Sequence, residues 1–307
     1  MFTELFLSSE AHSGSPLIEN EQMLSQEQIN QFHDQGYLAV EGVFSEDEIH
    51  SLRRVTDEFI QKSAEVTDHT DVFDLEPGHT PESPKLRRVK GPISHHEVYA
   101  RAIRNGKMLD LVAQLIGSGI RTNGNKLNIK HSHFGSAVEW HQDWAFYPHT
   151  NDDLLAVGVA IDDMNLENGC MMVIPESHKG PIWDHHQDGR FVGGITDTRF
   201  SDENAVPVQV KAGGISLHHV RMVHGSEPNT SVNQRRLMLF QMAAIDAWPL
   251  SGAGDWDAFN GNILRGEPTN VPRVEPVPVR MPLPPAELGG SIYEIQTLMN
   301  EKTLTAR

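Results

Sequence analysis

The residues with the clearest chemical potential are His141 and Asp143, inside Val138-Glu139-Trp140-His141-Gln142-Asp143-Trp144. On an extended strand, side chains two residues apart point to one face. An imidazole and a carboxylate so placed can reach one ion together. A third ligand must come from a later strand. The run from Gly213 to Ser226 offers His218, His219 and His224. His224 is best placed, because the following Gly225-Ser226 turn would expose it at a rim. Two imidazoles and one carboxylate on one face of a metal form the facial triad of non-haem Fe(II) oxygenases. The opposite positions stay open for a cosubstrate and dioxygen.

A second constellation points the same way. Arg235 stands shortly after His224, at the start of an apolar run, Leu237 to Met242. A guanidinium can hold a carboxylate by a two-pronged fork that lysine cannot reproduce. A triad plus a deep arginine suits a dicarboxylate that chelates iron at one end and pairs with arginine at the other. Arg236 is adjacent and would face the opposite way, so a register error of one would exchange the two roles. His131 and His133 form the rival metal pair, without a nearby carboxylate. His218 and His219 read as structural or substrate-facing. Cys170 sits in an apolar run and reads as a buried hydrophobe.

Three segments carry a family resemblance: Glu139 to Asp143, Asn168-Gly169-Cys170 through His178-Lys179-Gly180, and His224-Gly225-Ser226 through Arg235. In order and separation they resemble the phytanoyl-CoA dioxygenase family over roughly residues 25–245. The resemblance implies a double-stranded β-helix, the cupin-like jelly-roll barrel, working with Fe(II), 2-oxoglutarate and dioxygen. It implies iron ligation by His141, Asp143 and His224, with Arg235 and Ser226 on the distal carboxylate of 2-oxoglutarate. Asn128, Lys126, Lys90 and Gln142 take further cosubstrate positions, and Val159 falls where relatives can carry a tryptophan beside it. Asp143 argues against the halogenating members, which leave that position to a small residue. The expected activity is hydroxylation of an unactivated C–H bond in a small molecule, such as a secondary metabolite. Desaturation, cyclisation or epimerisation by the same chemistry is the alternative, and a non-catalytic metal- or ligand-binding barrel is the rival from another class. Trp144, Phe146, Tyr147, Trp183, Arg221, His131 and His133 are candidate substrate contacts.

The elements that must position these groups follow from patterning. Ser25 and Ser45 read as N-caps, with Gln28 and Glu48 as capping-box partners. Ile49, Leu52, Val55, Phe59 and Ile60 fall at helical spacing. Residues 63–95 read as a long loop, and Glu97 to Ile116 as one helix ended by Gly117. After Gly119, short strand-like runs separated by turns predict a sandwich or barrel. The expected organisation is a loose tail over 1–22 and one domain over 23–248, helical over 23–119 with a jelly-roll core over 120–246. A Pro/Gly-rich arm or lid with a short terminal helix follows over 249–307. The chain has 307 residues, 38% of them hydrophobic, and a formal charge of −17. Such acidity disfavours nucleic acid and anionic lipid as partners. With one cysteine neither an intramolecular disulfide nor a cysteine-rich zinc module forms. No signal peptide or membrane-length apolar run is visible, so a cytoplasmic enzyme is expected, with the arm closing the pocket or exchanging between protomers of a homodimer.

Overall fold

The strands in the computed structural model are β1 (Tyr37–Val40), β2 (Phe73–Leu75), β3 (Leu86–Lys90), β4 (Ile120–Lys130), β5 (Val138–Gln142), β6 (Leu154–Ala160) and β7 (Met171–Val173). They continue as β8 (His186–Gln187), β9 (Arg190–Phe191), β10 (Val206–Val208), β11 (Ile215–His219), β12 (Val223–Ser226), β13 (Arg235–Ala244) and β14 (Ile263–Arg265). The structure describes residues 23–133 and 135–305, so the tail expected over 1–22 lies outside the described residues. The larger sheet runs β1-β11-β6-β13-β4-β3-β2, with β14 also on β4, and the smaller runs β10-β7-β12-β5. Every pairing in the two sheets is antiparallel. This is the jelly-roll arrangement, with two sheets that are not hydrogen-bonded into a closed cylinder.

Strand alternation sorts the larger sheet by chemistry. Leu127 and Ile129 of β4, Val157 and Val159 of β6, and Met238 and Phe240 of β13 join a core with Leu52, Val55, Phe59, Met108 and Leu111 from the helices. Val159, at the position where relatives can carry a tryptophan, packs into this core. The opposite faces carry Lys126 and Asn128, Leu237 and Leu239, and His218, which line one cavity between the sheets. Behind them β6 presents Ala156, Gly158 and Ala160, register partners of Gln241, Leu239 and Leu237. A Cβ on Gly158 would meet Ser216 Oγ at 2.6 Å. Small residues thus keep the interior open.

The helices cover the outer face. Helices α1 (Gln26–Gln35) and α2 (Glu46–Lys62) begin with the expected capping boxes at Ser25 and Ser45. The stretch expected as one helix is two, α3 (Glu97–Ala102) and α4 (Gly106–Ile116). The break comes from Asn105, whose side chain accepts the Met108 N–H and caps α4. Residues 63–95 are not simply loop, because β2 and β3 lie there and extend the sheet. Residues 249–290 contain α5 (Trp256–Gly261) and β14 on β4. Helix α6 (Ile292–Ile295) then returns to the cavity. Among the described residues, no helix is long and apolar enough to cross a membrane.

Candidate metal centre

His224 and His141 are direct partners across β12 and β5. That register sets their ring centroids 4.1 Å apart. Asp143 does not lie on the strand, as the spacing argument assumed, because β5 ends at Gln142. It opens a 3₁₀ turn, Asp143–Ala145, that swings its carboxylate back toward the imidazoles. His141 Nε2 and Asp143 Oδ1 are 3.7 Å apart. One ligand atom from each of the three residues lies within 4.8 Å of the others. An ion with bonds of about 2 Å spans such a gap.

Backbone carbonyls orient both rings. His141 Nδ1 lies 2.9 Å from Glu139 O, and His224 Nδ1 lies 3.0 Å from Met222 O. Each Nδ1–H therefore donates, and each Nε2 lone pair is left for a metal. Burial pushes the His141 imidazole down to about 4 and His224 well below its ordinary value. Burial works to raise the Asp143 carboxyl, yet His218, Lys126 and the two ligand imidazoles hold it well below the usual carboxylate range. Two neutral imidazoles and an ionised carboxylate are the protonation states that ligation needs.

A buried guanidinium lies at the other end of the cavity. Arg235 is 2% exposed and lines it. Its Nη2 donates to Gly169 O at 2.7 Å, while its Nε has no partner. Arg236 points to the outer face, donating to Asp162 at 2.8 Å and Asp57 at 2.7 Å. Of the two arginines, Arg235 is the one that lines the cavity. Lys130 sits opposite Arg235 and donates to Ser226 Oγ at 2.8 Å and to Glu227 O. An incompletely paired buried guanidinium, a hydroxyl and a buried amine at one end, with a His/His/Asp set at the other, fit Fe(II) and a chelating dicarboxylate.

The remaining candidates divide. Asn128 and Lys126 line the cavity. Asn128 Oδ1 accepts from Arg88 Nε at 3.1 Å. Phe146 meets the His141 ring edge-on at 6.0 Å, and Tyr147 accepts from Gln241 at 2.8 Å beside Asp143. Lys90 shares the face of its register partner Lys126 but donates to Thr70 O at 2.9 Å and does not line the cavity. Gln142 faces the other side of β5, where it ties Pro181 O, Arg221 O and the Trp183 N–H together. Strand alternation between two ligands demands this, so its expected cosubstrate contact is corrected. Trp144 is wholly buried and donates to Pro278 O at 2.8 Å, in the packing under the arm. Trp183 meets Phe200 edge-on beside a different hollow. Arg221 is held by Asp152 and Gly180 O. His131 bonds Leu86 O, and His133 is exposed with φ 57°. Trp144, Trp183, Arg221, His131 and His133 are thus not cavity residues.

Sequence reasoning missed Lys130, Glu139, Ile292 and Tyr293. Lys130 had a signal, since it continues the alternation of Lys126 and Asn128. The others had none, because they join by distant contact. Ile292 and Tyr293 close the cavity wall from the C-terminal segment. The Arg87 guanidinium lies 4.6 Å from the centre of the Tyr293 ring. The Glu139 carboxylate accepts the backbone N–H groups of Thr303, Leu304 and Thr305 and the Thr305 hydroxyl. A second cluster, His69, Asp74 and Glu294, is already occupied by protein partners. Arg87 holds Asp74 at 2.6 Å, and His69 Nδ1 accepts the Leu75 N–H.

Comparison with known proteins gives the family. The profile of the phytanoyl-CoA dioxygenase family matches residues 32–237. A probable alpha-ketoglutarate-dependent hypophosphite dioxygenase of Stutzerimonas stutzeri is 34% identical over 90% of this chain and 98% of that protein. Among solved structures, EctD from S. alaskensis with bound Fe superposes with a TM-score of 0.63 at 23% identity, over 85% of this chain and 90% of that one. The carbocyclase SnoK from nogalamycin biosynthesis superposes with a TM-score of 0.60 at 23% identity, over 80% and 93%.

Proposed function

This chain belongs to the phytanoyl-CoA dioxygenase family, and on that premise we propose that it hydroxylates a small molecule at the ion held by His141, Asp143 and His224. It is an Fe(II)- and 2-oxoglutarate-dependent oxygenase. Bound Fe(II) with 2-oxoglutarate and dioxygen supplies the oxidising power, and the keto acid leaves as succinate and CO2. The chain's own residues position and shield. His141, Asp143 and His224 would hold the ion. Arg235, with Ser226 and Asn128, would hold the cosubstrate. Lys130 orients the Ser226 hydroxyl. Leu237, Leu239, Met171 and Ile292 keep the walls apolar, which limits water at the reacting centre.

The observation that carries this reading is the meeting of triad and buried arginine in one cavity. The test is succinate release that requires both added Fe(II) and 2-oxoglutarate, with His141→Ala as the blank. A product heavier by one oxygen supports hydroxylation of a C–H bond. Loss of two hydrogens, or no mass change, supports desaturation or epimerisation instead. A second reading places the oxygen on a P–H bond of a small phosphorus oxyanion. It is favoured by the 34% identity to the hypophosphite dioxygenase, which extends over 90% of the chain.

A further inference from the structure

The inner row of β4 runs Lys126, Asn128, Lys130, from the metal end of the cavity to the arginine end. We propose that the substrate of this site is a small oxyanion, and that Lys126, with His218, seats it beside the metal. The proposal rests on the oxygenase reading and adds the chemical class of its substrate.

The argument is one of charge. Ferrous ion, Asp143, doubly charged 2-oxoglutarate and Arg235 together sum to zero. Lys130 has its own acceptors in Ser226 Oγ and Glu227 O, with Glu76 as a nearby counter-charge. Lys126 is left over. The nearest opposite charge acting on it is Asp143, which the metal claims, and Arg88 adds a second positive charge close by. Its surroundings are dense, yet its side chain keeps some accessible surface because it opens on the cavity. A charge kept from bulk water without a partner is costly. An arriving monoanion removes that cost.

His218 supplies the second observation. It is 2% exposed, and neither ring nitrogen has a hydrogen-bond partner. Its Nε2 lies 3.7 Å from Asp143 Oδ2, too far for a hydrogen bond. This buried imidazole lines the cavity with only a long polar contact to Asp143, so it can donate to an incoming acceptor. Lysine and imidazole at the metal end form a seat for oxyanion oxygens. One atom of dioxygen enters an X–H bond of the anion and the other enters succinate, with CO2 lost from 2-oxoglutarate. For hypophosphite the product is phosphite plus a proton, and no further reductant is needed.

The test is anaerobic binding to the Fe(II)·2-oxoglutarate enzyme, read from the visible absorption of that complex. Probes are hypophosphite and methylphosphonate in one arm, propionate in a second, and neutral propionamide as control. The expected result is a spectral shift with an oxyanion from either arm and none with the amide, and the responding arm names the source. The resemblance gives Lys126 to the cosubstrate, whereas this proposal gives it to the substrate, and the two assignments separate here: Lys126→Met should weaken that anion about tenfold or more and change 2-oxoglutarate affinity by less than about twofold, and Lys126→Arg should recover part of the loss. Thermal midpoints of the variants check folding. The proposal is overturned if no oxyanion binds below about 10 mM, if the amide binds as well, or if Lys126→Met weakens 2-oxoglutarate instead. Absence of the Fe(II)·2-oxoglutarate absorption itself would overturn the oxygenase reading, a separate failure.

Discussion

Arg235→Met separates binding from stability because the two respond with opposite signs. The guanidinium is buried and its Nε is unpaired. Without cosubstrate, the substitution loses one hydrogen bond to Gly169 O, worth about 1 kcal/mol. It also removes a desolvated cation, and apolar replacement of buried charge is often neutral or stabilising by about 1–4 kcal/mol. The free protein should therefore melt at the wild-type temperature or above. The cosubstrate loses a buried carboxylate contact of about 3 kcal/mol, so its KM should rise roughly 100-fold. Linkage gives a second reading. Manganese-loaded wild type at 100 times its dissociation constant gains about 2.7 kcal/mol from 2-oxoglutarate, whereas the variant at that concentration gains about 0.4. For a chain of this size the first is a melting shift of roughly 5–10 °C and the second about 1 °C. The assay is a thermal melt with and without 2-oxoglutarate, beside succinate kinetics. An unchanged KM, or a free variant that melts far below wild type, would refute the reasoning by showing that Arg235 serves the fold.

Three further outcomes follow from the same geometry. Glu139→Ala removes the acceptor of three backbone N–H groups, so residues 292–305 should exchange amide hydrogens faster while the larger sheet stays protected. KM for 2-oxoglutarate should rise severalfold as Ile292 and Tyr293 leave the wall, and unchanged exchange would count against the clamp. Gly169 has φ 72°, and a Cβ there would meet Glu227 O at 2.5 Å and Lys130 Nζ at 3.0 Å. Gly169→Ala should destabilise by about 1–3 kcal/mol and raise the 2-oxoglutarate KM, measured by denaturant midpoint and succinate release. Burial pushes His149 down to about 4, against about 6.5 in an unfolded chain. The unfolded state then binds the extra proton, so this contribution is full above pH 6.5 and is lost as pH falls toward 4. His149→Gln should flatten the stability profile across that window, and an unaltered slope would exclude His149 as its source.

What could be read in the sequence was whatever depends on neighbours along the chain. Ser25 and Ser45 announce their helices because a capping box closes within three residues. The spacing of His141 and Asp143 is legible, yet its geometric basis was wrong, since the strand stops one residue short and a 3₁₀ turn brings the carboxylate round. Lys90 and Gln142 were misplaced for opposite reasons. Gln142 was assigned against the alternation rule that put its neighbours together. Lys90 obeys alternation, but its long side chain has a nearer acceptor in Thr70 O. Tyr293 and Glu139 were invisible because their roles come from a segment that returns to β5 after more than a hundred residues, and composition carries no trace of such contacts.

Arg235 and Arg236 show how one strand serves both stability and chemistry. They are adjacent, equally charged and nearly equally buried, at 2% and 6% exposure. Arg236 is saturated by Asp162 and Asp57 and locks β13 to the helices and the β6 end. Arg235 is left short of partners on the side that faces the metal. Alternation assigns the roles, because on the outer face Arg236 meets Asp162 and Asp57, whereas on the inner face Arg235 bonds a backbone carbonyl and no carboxylate. The shortage is stable only because the large apolar core on the outer face offsets it. Arg235 Nε and the His218 ring, both without a close partner in this interior, are therefore where the proposed anionic guests would bind.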